Sequence, residues 1–101
     1  MTLEEIKQLV AQGRYQYSKK VQDLIEEGFF APEDMVHCIL SAIQIYKKER
    51  DELGEAVHRM KYVILGKDTH GQLFYTAGKV RQSPDGYLYF YITAHPADEP
   101  I

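Results

Sequence analysis

A chain of 101 residues that is 45% hydrophobic has enough apolar material for one core and too little length for two, so a single domain spanning 1–101 is expected, without help from disulfides or metal. The lone Cys38 excludes an intrachain disulfide, and a net charge of -3 excludes the broad basic excess by which phosphate-binding proteins usually declare themselves. The amphipathic first twenty residues, and the absence of any run of roughly 18 apolar residues, lead to the expectation of a cytoplasmic protein with no membrane partner.

The first element reads as a helix. Thr2 and Glu5 stand at capping-box spacing, Leu3, Ile6, Leu9 and Val10 recur at helical intervals, and Gly13 supplies a stop. A second helix is expected from Ser18 to Gly28, with Val21, Leu24 and Ile25 on one side. The third opens on Pro32, with Glu33 and Asp34 beside the positive end of its dipole and Met35, Val36, Ile39, Leu40 and Ile43 in a stripe. Cys38 falls on this helix, where burial is expected and no activating partner is evident.

Beyond residue 43 the period changes. Strand formers gather in KYVILG, LFYTAGKV and YLYFYIT, divided by the turn signals Asp68-Thr69-His70-Gly71 and Ser83-Pro84-Asp85-Gly86. A first strand is read from Ile43 to about Arg50, followed by a charged connection around Gly54, and residues 96–101 are expected to fray. The predicted fold class is α+β: three N-terminal helices packed on one face of a three- to four-stranded antiparallel meander.

Residues 87–95, YLYFYITAH, place apolar and phenolic side chains in alternation. With Leu88, Phe90 and Ile92 taken as the core face, Tyr87, Tyr89 and Tyr91 point outward together with Thr93 and His95. Such rings can stack on unpaired bases, while Lys48, Lys61, Lys79 and Arg81 from the locally basic sheet hold phosphates. The plainer reading is that tyrosine is a good strand former on a half-wet surface.

A second constellation, IYKKERDE, crowds Tyr46, Lys47, Lys48, Glu49 and Arg50. Metal-free RNA cleavage needs proton-transfer groups and a cation for the charge that develops on phosphorus, and these residue types supply both. A solvated charge run is the alternative. Of the four histidines, His37, His58 and His70 read as surface or packing residues, and His95 as the one able to titrate beside the tyrosines. No metal-ligand spacing and no phosphate cradle is found, so no metal and no cofactor is expected.

The stretch TLEEIKQLVAQGRYQYSKKVQDLIEEGFF, followed by EDMVHCIL and a β-meander, resembles a bacterial and archaeal domain-of-unknown-function family. The order of elements is similar to that of the MqsR-type and RelE-like toxins, metal-independent mRNA endoribonucleases neutralised by an antitoxin protein. The resemblance implies that Lys47, within Ile45-Tyr46-Lys47-Lys48, takes the place of a catalytic lysine. It further implies that Tyr75 takes that of an active-site tyrosine and His95 that of the basic residue ending the last strand. Strand alternation from Ile43 and Ile45 would instead put Tyr46, Lys48 and Arg50 on the open face, so Arg50 is carried beside Lys47. Many family members have a histidine where Lys19 stands here. The expected function is a toxin domain, a hydrolase, that binds single-stranded RNA and cleaves it, with an antitoxin as partner. The alternative is a non-catalytic protein-interaction domain, a homodimer through the tyrosine face.

Overall fold

The computed structural model describes residues 1–97. Helix α1 (Leu3–Ala11) begins with both bonds of the capping box: Thr2 Oγ1 accepts from the Glu5 N–H at 3.2 Å and Glu5 Oε1 accepts from the Thr2 N–H at 2.9 Å. A short strand β1 (Tyr15–Tyr17) follows. Helix α2 (Lys19–Glu26) is capped by Ser18, whose hydroxyl accepts from the Val21 N–H and donates to the Ile92 carbonyl. Helix α3 (Pro32–Ser41) carries a buried carboxylate, Asp34, which accepts from the Ala31 N–H, the Thr69 N–H and the Thr69 hydroxyl. Asp34 thereby ties the start of α3 to the turn after β3.

The strands β2 (Lys47–Arg50), β3 (Met60–Lys67), β4 (Leu73–Ser83) and β5 (Gly86–Pro96) run antiparallel in sequence order. A 3-10 turn, Val57–Arg59, precedes β3. The sheet order is β1-β5-β4-β3-β2, with β1 parallel to β5, so the domain is α+β with a five-stranded mixed sheet. Strand β1 is absent from the sequence reading because three residues flanked by helices show no period. Its place is set instead by Arg14, whose carbonyl accepts from the Tyr89 N–H at 3.0 Å and whose Nε donates to the Tyr87 carbonyl at 2.8 Å.

The first meander strand starts at Lys47, not Ile43. Helix α3 ends at Ser41, and Ile43 lies in the link with 92% of its surface exposed. Pro96 pairs with Phe74 and the Ala97 N–H donates to the Leu73 carbonyl, so fraying does not begin at 96. The remainder of the expected tail, 98–101, lies outside the described residues.

One contiguous core joins Ile6 and Val10 of α1, Val21 of α2 and Met35, Cys38 and Ile39 of α3 to Tyr62, Ile64, Phe74, Val80, Tyr89, Tyr91 and Ala94 of the sheet. The helices therefore cover the Tyr89/Tyr91 side of β5, the reverse of the sequence expectation. Two strand glycines explain the choice. A Cβ at Gly66 would stand 2.0 Å from the Cys38 carbonyl oxygen, and one at Gly78 would stand 2.6 Å from the Tyr89 ring. Only glycine lets α3 approach β3, and the Tyr89 ring lie on β4, this closely.

Candidate functional site on the open sheet face

Residues directly opposed across an antiparallel pair share a face. The register aligns Lys47, Val63, Ala77 and Thr93 in one row and Leu65, Tyr75 and His95 in the next. Further along, Glu49 opposes Lys61, Lys79 opposes Phe90, and Arg81 opposes Leu88. All of these lie on the side away from the helices.

A β-bulge makes this set coherent. Ala77 pairs with Thr93 but the next residue, Gly78, pairs with Tyr91, leaving Ile92 as the extra residue. The parity of β5 reverses there, so Thr93 and His95 share a face with Leu88 and Phe90 rather than with Tyr89 and Tyr91. His95 thus reaches the open face while the tyrosines do not.

The Tyr75 and His95 rings stack, with centroids 4.7 Å apart and planes 15° from parallel. His95 Nδ1 lies 2.9 Å from the Pro96 carbonyl oxygen. A carbonyl only accepts, so Nδ1 carries a proton, and in the neutral ring the free lone pair is the one on Nε2. The pair is a flat aromatic step with a proton acceptor at its edge. Lys47 stands one row away and pairs with Glu49 at 3.2 Å, while the Arg81 guanidinium sits 4.8 Å over the Phe90 ring. Lys47, Lys61 and Arg81 outnumber the single carboxylate, Glu49, that shares their strands on this face.

Five of the residues expected from sequence share this face: Tyr75 and His95 are in contact, Lys47 lies two strands from Tyr75 and three from His95, and Lys61 and Arg81 lie farther along. Six are not open on it. Tyr89 and Tyr91 are fully buried beneath the helices, where burial pushes both phenols up. The Tyr91 hydroxyl donates to the Met35 carbonyl, and the Tyr89 hydroxyl has no partner among the described residues. Tyr87, 42% exposed, lines a groove against α1 with Glu5, Gln8 and Gln12. Lys79 is only 3% exposed, because the connection after β2 reaches it and places Asp51 Oδ2 and Glu55 Oε2 each 3.4 Å from Nζ. Lys48 and Arg50 oppose Tyr62 and Met60, and so sit on the helix side of edge strand β2. The start of β2 at Lys47, with Lys47 opposite Val63, reverses the alternation expected from Ile43.

Leu88 and Phe90, assigned to the core from sequence, both lie on the open face. Gly78 marks the covered side, but it can be read that way only with the strand register, which sets the Tyr89 ring on it. The plainer readings hold for two other residues: His37 Nδ1 is bonded to the Lys67 carbonyl at 2.7 Å, and Cys38 is buried with its thiol pushed up to about 12 by desolvation.

Among the described residues no group of three or more His, Cys, Asp or Glu side chains is placed to hold a metal ion, and no helix is long and apolar enough to cross a membrane. No family model matches the chain, and comparison with curated proteins and with solved structures found no match.

Proposed function

We propose that the open sheet face binds single-stranded RNA and cleaves it without metal, as the resemblance to RelE- and MqsR-type toxins implies. The observation that carries the reading is the Tyr75–His95 stack, with Nδ1 anchored to the Pro96 carbonyl and Lys47 in the adjacent row. A base stacks on the aromatic step, and Lys47, Lys61 and Arg81 attract the backbone. His95 Nε2 takes the proton of a ribose 2′-hydroxyl, whose oxygen forms a bond to the adjacent phosphorus. The bond from phosphorus to the 5′-oxygen breaks and the Tyr75 hydroxyl supplies the proton to that oxygen, while Lys47, two strands from Tyr75, helps hold the flanking backbone on the face. The products are a 2′,3′-cyclic phosphate and a 5′-hydroxyl.

The test is RNA incubated with purified protein in EDTA. Cleavage is expected, with His95→Ala abolishing it and also weakening binding, because the ring is half of the stacking step. Tyr75→Ala is expected to weaken binding by roughly 5- to 150-fold, the equivalent of about 1 to 3 kcal/mol for a lost stacking contact. RNA left intact and unbound at high protein concentration rejects the proposal. The second reading, a non-catalytic contact with another protein or a second copy, is favoured by the apolar Leu65, Leu88 and Phe90 on the same uncovered face. Light scattering on the native chain and on Phe90→Glu tests the second-copy form of this reading: a dimer that becomes a monomer on the change supports it.

A further inference from the structure

We infer that the cleft where β2 meets β3 is a binding site for a dianionic phosphate group, separate from the open face. The cleft, of about 280 Å³, is lined by Arg50, His58, Arg59 and Met60. Arg50 opposes Met60 in the sheet, and the Asp51 N–H donates to the Arg59 carbonyl at 2.7 Å, so the chain segments that bear the two arginines are fixed against each other. The ion pairs among the described residues are made by Lys19, Lys47 and Lys79, and neither Arg50 nor Arg59 is in one.

The backbone gives an independent indication. His58 and Arg59 lie at φ 60° and 54°, two consecutive non-glycine residues in the left-handed region. Glycine would adopt this conformation without steric cost, and side chains are held in it only where the surroundings over-determine the turn. Buried Asp51 does this, accepting from the Leu53 and Ala56 N–H groups while paired to Lys79. Strain of this kind concentrates where side chains must be presented to a ligand.

The charge matches a particular class. Two guanidinium groups, with an imidazole as a further donor, balance a phosphate monoester or inorganic phosphate, which carries close to two negative charges at neutral pH. Of the acids nearby, Glu49 and Asp51 are paired to Lys47 and Lys79, and Glu5 of α1 is engaged at its own helix start. Its carboxyl is held below the ordinary value first by the Thr2 N–H and then by the Thr2 hydroxyl, with the charge of His58 the weakest contributor.

Amide chemical shifts of the full chain, titrated with inorganic phosphate, test the site. Saturable shifts at Arg50, Arg59 and Met60 are expected, with affinity lowered about tenfold or more in Arg50→Gln. Arg59→Gly should lower affinity comparably while melting at the same or a higher temperature, because it removes the cation and the strain together. Parallel titrations with AMP, a 5′-phosphorylated oligoribonucleotide and its 5′-hydroxyl counterpart identify the source. Tighter binding of the phosphorylated oligonucleotide assigns the site to an RNA end, and equal binding of all phosphates to free phosphate. No saturable shift with any phosphate, or shifts that persist in the Arg50→Gln/Arg59→Gly double variant, overturn the inference. His95→Ala leaves this cleft intact, so its outcome and that of RNA cleavage are read separately.

Discussion

The two faces of the sheet contain similar residue types and use them in opposite ways. Under the helices, Tyr89, Tyr91, Tyr62 and Thr76 are buried, and their polar atoms are a liability that packing must satisfy. On the open side, Tyr75, His95, Lys47 and Arg81 keep polar atoms available to a ligand. Identity alone does not distinguish Tyr75 from Tyr89. Their neighbours do: Tyr89 rests on a glycine of the next strand, whereas Tyr75 faces a histidine.

The contrast is broken most severely by Tyr89→Glu. A carboxylate in this fully buried site would lie against Cys38 and Tyr62, with no charge partner among the described residues, and a loss of about 4 kcal/mol or more is expected. For a domain whose total stability is on the order of 5 to 15 kcal/mol, that leaves much of the chain unfolded, as circular dichroism would record. A dimer dissolved with the monomer fold intact would contradict the buried placement.

Lys79→Met is expected to cost roughly 3 to 5 kcal/mol in denaturant unfolding, since it strands the Asp51 carboxylate in a buried position. Combining it with Asp51→Asn should cost less than the sum of the single changes. Additive losses would mean the pair is not coupled.

Acid should act next. Burial alone would raise the Asp34 and Asp51 carboxyls, but hydrogen bonds from Ala31 and Thr69, and from Leu53 and Ala56 with Lys79 for the second, hold both below the ordinary value. A carboxyl lowered on folding contributes stability above its unfolded pKa, near 4, and that contribution is lost as pH falls through the folded value. Denaturant midpoints are therefore expected to hold above pH 5 and drop below about pH 4, with a flatter acid limb in Asp34→Asn. The smallest effect sharpens the comparison from the other side. Tyr89→Phe removes a buried hydroxyl without a partner among the described residues and should stabilise the fold by up to about 1 kcal/mol, whereas Tyr91→Phe, which loses the bond to Met35, should not.

The helices were legible because their signals are local: the Thr2/Glu5 pair, the Ser18 cap and Pro32 each act within one turn. Both turn motifs were legible for the same reason. Which sheet face the helices cover was not, because an alternating strand reads equally well with either side inward, and Leu88, Phe90 and Ile92 are as apolar as a core requires. The deciding residues, Gly66 and Gly78, lie on other strands and matter only once the register is known. His95 was rightly placed on the open face for a mistaken reason: continuous alternation tied it to Tyr89 and Tyr91, and the bulge at Ile92 severs that tie. Lys79 was misjudged because its partners come from the connection after β2, whose charges suggested solvent.

Strand β1 carries a consequence for how the chain acquires its shape. Tyr15 and Tyr17 sit beside Tyr89 and Tyr91, so an early segment completes the sheet only after the last strand has been made. During synthesis the first two helices must wait on the ribosome without the surface they cover, and contacts of such long sequence separation slow folding. Arrest of translation before β5 emerges should therefore leave the amino-terminal third open to proteases, however well each helix is capped.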